Sequence, residues 1–413
     1  MNDEAAQKAA WRLVLLVCIA QTLVQIGAFF WPALLPQLAP TWALSNSAAG
    51  WITAAFYGAY MLAVPVLVTL TDRVDPKRLY LLGVGLTIIG HLLFGWLADG
   101  FWSALACRAL AGVGWAGTYM TGLKLLADRV DARMMSRATA GHAASIGLSG
   151  AASFATGELL ARQFGWQAAF LLAALSAALA WIIIAAVVPR QDKVTSRPKD
   201  GGGLYDFRPV LRNRSAMAYA MAYCIHTLEM SALRGWGVAF LAYVAASAGT
   251  QQPILSPAVL VTLIGLVGTA ASLLGNEAAI RFGRRRLVHT AMLGSVVLGS
   301  IIGFVGPLSY ALAAALILLY GLTIWLDSSS LTAGAAGTAE PSRRGATLAV
   351  HSTLGYAGGF IGPPLIGWVL DAGGGMSQTV WGIAFASVAL LMLGAFATFV
   401  ALRPDELAGD KGK

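Results

Sequence analysis

PRQDKVTSRPKDGGGLYDFRP, residues 189–209, is the longest polar stretch in an otherwise apolar chain. Its Gly, Pro and charged residues offer too little apolar surface to build a core, so it reads as a linker. On either side of it, apolar runs of about 20 residues recur, the length a helix needs to cross the hydrocarbon of a bilayer. Six begin before it, near residues 12, 48, 79, 102, 138 and 167. Six begin after it, near residues 216, 257, 287, 308, 345 and 379. The expected organisation is an N-terminal half over residues 1–189, a linker over 190–214, a C-terminal half over 215–402 and a tail over 403–413.

Composition agrees. Of 413 residues, 58% are hydrophobic and 11% charged, against roughly 25% charged in soluble domains. The mean hydropathy is +0.70. A soluble chain of this length needs more polar surface than that, so the sequence reads as an all-α membrane protein of twelve transmembrane helices in two pseudo-symmetric six-helix halves. Glycine and proline inside the spans are tolerated in a bilayer and allow close helix packing. The cysteines, Cys18, Cys107 and Cys224, lie in apolar runs and suggest neither disulfides nor a metal site. The first apolar run, residues 13–35, is long enough to span and is not followed by a cleavage pattern, so no signal peptide is expected.

The net charge of +9 is an orientation signal. If the first end is cytoplasmic, 25 of the 28 basic residues fall on that side. Only Arg162 lies opposite, and Arg108 and Arg234 lie inside spans. The positive-inside rule then places both termini in the cytoplasm of a multi-pass protein of the cell inner membrane. The lipid bilayer is the expected partner, and a nucleic acid is not.

The halves echo each other. TDRVDPKR (71–78) follows span 2, and IRFGRRR (280–286) follows span 8. Trp166 and Phe170 open span 6 as Trp381 and Phe385 open span 12. A basic residue precedes a histidine at the start of span 5 (Arg137, His142) and of span 11 (Arg344, His351). Internal repeats of this kind are typical of secondary transporters.

Twelve spans, a basic central linker and these loops resemble the major facilitator superfamily over nearly the whole chain. That family's loop between spans 2 and 3 reads G-x-x-x-D-R-x-G-R-K/R. Asp72, Arg73 and Lys77 match it, while Val68, Asp75 and Pro76 depart from it. The resemblance implies that Asp72, Arg73 and Lys77 form a gating latch. The second-half copy keeps Arg281, Gly283, Arg284 and Arg285, with Ile280 where the aspartate would stand. In span 4 the family carries R-x-x-Q-G. Here Arg108 and Gly112 match and Ala111 replaces the glutamine, which implies a substrate or proton-transfer role for Arg108. The resemblance also implies a monomer. A G-P string that antiporter branches carry in span 5 has its likeness here in span 11, Gly358 to Gly367 with Pro363.

Charges inside spans carry the functional reading, because each costs about 2.5–3.5 kcal/mol at the bilayer centre. CIHTLEMSALRGW (224–236) puts His226, Glu229 and Arg234 within nine residues of span 7. At about 100° per residue, all three reach one bundle interior. Arg108 lies in span 4 and Asp327 in span 10. Arg108 and Arg234 suit an anionic solute. Glu229 or Asp327 suits a coupling proton, and His226 is a candidate substrate-binding residue of a side-chain type that also serves as a proton carrier. Gln21 and Gln25, four apart in span 1, share a face and offer amides. Tyr119, Trp325 and Tyr356 are candidate walls of a substrate cavity. Structural ion pairs and ordinary core packing remain the alternatives for these residues.

The expectation is a secondary active transporter of a small organic or inorganic anion. It works by alternating access and is proton-coupled, with symport assigned and antiport and uniport open. The rival is a proton-driven drug or cation exporter. No cofactor is implied. An enzyme is not expected, since no metal cluster or nucleophile constellation stands out, and a receptor is disfavoured because the longest soluble stretch is the linker of about 25 residues, with no sizeable output domain.

Overall fold

The computed structural model describes residues 3–71, 73–190, 207–250, 253–407 and 410. Sixteen α-helices follow one another with no strand among the described residues. Before the linker lie α1 (Asp3–Gln25), α2 (Phe30–Thr41), α3 (Asn46–Leu70), α4 (Pro76–Leu97), α5 (Phe101–Ala116), α6 (Tyr119–Ala127), α7 (Ala132–Phe164) and α8 (Trp166–Val187). The short α9 (Arg208–Arg212) ends the linker. After it come α10 (Arg214–Ser247), α11 (Pro257–Phe282), α12 (Arg284–Val305), α13 (Tyr310–Leu326), α14 (Ser328–Gly337), α15 (Arg344–Ala372) and α16 (Gln378–Leu402).

These make twelve spans, because three spans are each built from two helices. Span 1 is α1 and α2, broken at residues 26–29. Span 4 is α5 and α6, broken at Gly117 and Thr118, and span 10 is α13 and α14, broken at Asp327. Span starts agree with the apolar runs to within a few residues, except that α1 and α7 begin in the polar residues ahead of their runs. Local chemistry sets several starts. The side chains of Asp75, Asn213, Ser256, Ser309 and Ser377 each accept a hydrogen bond from a backbone N–H of the turn they open. Pro76 and Pro257 sit at the first helical turn, where a missing N–H costs nothing.

Eight spans are apolar and long enough to cross a membrane by composition alone. The other four are α5 with α6, α7, α10 and α15. They carry the polar and small residues that lower hydropathy, Arg108 and the α10 charges among them.

Contacts divide the chain into two compact units. The first holds Met1–Leu34 and Ala55–Asp200, the second Leu35–Ala54 and Gly201–Lys413. The first has a core of Val14, Val17, Tyr80, Val84, Leu125, Leu126, Ala177 and Ile184. The second has a core of Tyr219, Val288, Met292, Leu331, Met392 and Phe399. In the second unit α10 packs tightly along α15. A Cβ on Gly358 would stand 1.9 Å from the Cys224 carbonyl oxygen, so only glycine fits there.

Candidate functional site

In the first unit the charged centre is Arg108, on α5 and only 2% exposed. Its Nη1 donates to the Ala28 carbonyl at 2.8 Å. That carbonyl lies in the break between α1 and α2, where the helical ladder leaves acceptors free. The guanidinium sits 4.5 Å above the Phe56 ring, a cation–π contact that partly replaces lost hydration. Its Nε has no hydrogen-bond partner among the described residues. No carboxylate among them pairs with it.

Gln21 and Gln25 do share a face, and both amides are engaged by the protein. Tyr80 Oη donates to Gln21 Oε1 at 2.9 Å, and Gln21 Nε2 donates to Gln25 Oε1 at 3.2 Å. The Trp115 indole N–H also reaches Gln25 Oε1, at 3.0 Å. Gln25 lines a small cavity with Ala28, Phe56, Thr87, His91 and Trp115. Tyr119 starts α6 just past the break in span 4, its ring stacked near Trp115 and His142.

The residues expected to form a gating latch fall in and beside the turn after α3. Asp72 lies outside the described residues. Arg73 is exposed in the turn after α3. Lys77 is buried, its Nζ donating to the carbonyls of Ala185 and Val188 at the end of α8. Among the described residues of this loop, Asp75 forms an ion pair, meeting Arg129 at 2.9 Å.

In the second unit the α10 charges part company. His226 Nδ1 lies 3.0 Å from Asp327 Oδ1, and both side chains are almost fully buried. Asp327 stands in the break between α13 and α14, so an interrupted helix delivers it to α10. The His226 ring stacks on Tyr223, which stacks in turn on His351. His351 Nε2 lies 3.2 Å from Thr332 Oγ1. Glu229, 1% exposed, faces Tyr320 of α13 and Ser295 of α12. Neither of its carboxylate oxygens has a hydrogen bond of standard geometry among the described residues. Arg234 lies over the Trp325 ring at 5.0 Å. Tyr356 is half-buried on α15.

The structure thus joins His226 to Asp327 and Arg234 to Trp325, and sets Glu229 apart. Sequence reasoning missed the breaks that carry Ala28 and Asp327. At Asp327 a signal existed, because Asp followed by three serines is a helix-start pattern even inside an apolar run. The His226 imidazole and the Asp327 carboxylate, 3.0 Å apart and both out of water, form a buried polar pair at the interruption of span 10.

A helical bundle with interrupted spans and buried charges at the interruptions is the architecture of a secondary transporter. The sequence profile of the Major Facilitator Superfamily matches residues 15–257, and the chain belongs to that superfamily. The MFS-type transporter YbcL of Bacillus subtilis (strain 168) is 22% identical over 390 residues, covering 93% of this chain and 95% of YbcL. The fold also matches solved structures. The nucleoside transporter NupG superposes with a TM-score of 0.75 at 12% identity, over 95% of this chain and 99% of its own. The human organic anion transporter MFSD10 does so with a TM-score of 0.65 at 18% identity, over 94% and 99%.

Proposed function

We propose that this transporter moves a small anionic solute across the cell membrane by alternating access, coupled to protons. The observation that carries the reading is Arg108, a guanidinium 2% exposed that meets a carbonyl and an aromatic face but, among the described residues, no carboxylate. A buried charge of this kind costs several kcal/mol unless compensated. Charges inside spans mark substrate or ion pathways as a rule. A bound anion supplies the missing charge. Arg234 over Trp325 adds a second cation. The His226–Asp327 pair carries the coupling proton, and Glu229 is a second carboxylate able to do so. MFSD10, similar in fold, is named an organic anion transporter, which agrees with this reading. On the same reading both termini are cytoplasmic, supported by the 25 basic residues on that side.

The test is a thermal-shift screen of the purified protein in detergent. The panel holds small carboxylates, inorganic anions, sugars, amino acids and lipophilic cations. A ligand of the folded state raises apparent stability by mass action. The expected result is a shift with anions that is lost in Arg108→Ala. A shift with lipophilic cations alone overturns the anion reading in favour of an exporter. In proteoliposomes loaded with the anion so found, Asp327→Asn is expected to abolish the response to an imposed pH gradient. An unchanged response removes Asp327 from the coupling role.

A further inference from the structure

The two repeats solve one structural problem with different parts of the chain. In the first repeat the helix after the basic loop, α4, is capped from within the loop. The Asp75 carboxylate accepts from the Lys77 N–H at 3.0 Å and pairs with Arg129 at 2.9 Å. The matching helix of the second repeat is α12. Its N-cap is Gly283, at φ +100°, which supplies no side-chain hydrogen bond. Ile280 occupies the place of the motif's aspartate.

The missing carboxylates come from the segment after α16. Glu406 accepts from the backbone N–H of Arg284 at 2.9 Å and of Arg285 at 3.1 Å. It therefore caps α12 as Asp75 caps α4. Asp410 grips Arg284 with both oxygens, at 3.0 Å to Nε and 3.1 Å to Nη2. Arg284 also donates to Asn276 of α11 and to the Ser330 carbonyl of α14. Arg284 is 2% exposed and Asp410 5%, so the pair is held away from water. The segment is anchored beside α10 as well, where Ser215 and Tyr219 donate to Asp405. Asp405, Glu406 and Asp410 thus tie the segment to α10 and α12, and Arg284 carries the connection on to α11 and α14.

We infer that the C-terminal segment is a built-in acidic ligand, a strap whose Glu406 and Asp410 occupy a carboxylate-binding site at the start of α12. That site consists of the α12 N-terminus, Arg284, Arg285 and Asn276. It takes an acidic pair spaced E-x-x-x-D, and the chain's own end fills it. The inference does not depend on the transported solute.

The test uses the full chain beside a variant ending at Arg403. Hydrogen exchange is followed at the amides of residues 284–287, with the protein in detergent. Truncation is expected to speed that exchange about 5-fold, the effect of losing one good helix cap. A synthetic peptide of residues 403–413 is expected to restore protection. The same peptide with Glu406→Gln and Asp410→Asn is expected not to. Equal exchange in the truncated and full chains overturns the inference, as does equal rescue by the neutral peptide. If the truncated chain does not fold, Arg284→Asp combined with Asp410→Arg in the full chain decides. Recovery of the thermal stability lost in each single variant supports the strap. A double variant as weak as the worse single variant overturns it.

Discussion

Arg108 and Arg284 put the same side chain to opposite uses. Both are 2% exposed, but Arg284 holds a bidentate carboxylate while Arg108 has a carbonyl and a ring. Removing one partner of a buried pair strands the other charge, at about 3–5 kcal/mol. A buried Arg that pairs with no carboxylate leaves no opposite charge stranded when an apolar side chain of similar size replaces it. Arg284→Met is therefore expected to lower the unfolding midpoint in detergent. Arg108→Met is expected to leave it unchanged or raise it, while losing the anion-induced shift. A large fall in stability for Arg108→Met makes that residue structural and sinks its role in binding. Sequence alone showed that Arg108 is a cation inside an apolar span. It could not show the missing partner, because the acceptor at Ala28 exists only where span 1 breaks.

At the scale of elements, the interruptions decide what the spans can present. The break at Asp327 turns a carboxylate toward His226 and leaves the Leu326 carbonyl directed at α11. A Cβ on Gly275 of α11 would lie 1.8 Å from that oxygen. Nearby, Ser272 of α11 and Ser329 of α14 share a hydrogen bond at 2.6 Å. The break is thus clamped by close approach of α11. Gly275→Ala is expected to destabilise the protein by about 1–3 kcal/mol, the usual effect of overpacking, and to disturb the Asp327–His226 contact. Gly394→Ala is the control, since nothing lies within 4 Å of a Cβ there. Equal unfolding midpoints for the two variants would show that α11 yields and does not clamp the break. Span existence and most starts were legible because apolar length and capping residues are local properties. The breaks were less so, because hydropathy averages over them. The polar residues 403–413 looked like a free tail, since nothing near them in sequence shows that Gly283 lacks a capping side chain.

At the scale of the whole molecule, the repeat is kept in architecture and relaxed in detail. Each unit has its own apolar core and its own buried cation next to a helix start or break. The motif loop keeps its basic residues in both repeats, but the acid is local in one and supplied from the chain's end in the other. Conserving the basic residues while moving the acids fits a constraint on charge sign beyond that on local pairing. Orientation in the membrane is such a constraint. Basic residues resist translocation while acidic ones contribute little, so with 25 of 28 falling on one side of twelve spans that side is expected to be cytoplasmic. The prediction is checked with single cysteines in a background where Cys18, Cys107 and Cys224 are replaced by alanine. Ala248, exposed after α10, and Glu340, exposed before α15, lie in loops expected on opposite sides. In intact cells a membrane-impermeant maleimide is expected to label Ala248→Cys. Glu340→Cys is expected to react only after the membrane is opened. Neither position belongs to the basic set, so the substitutions leave the orienting charge in place. The reverse pattern of labelling would put the linker and both termini outside, and would leave the charge asymmetry without its physical role.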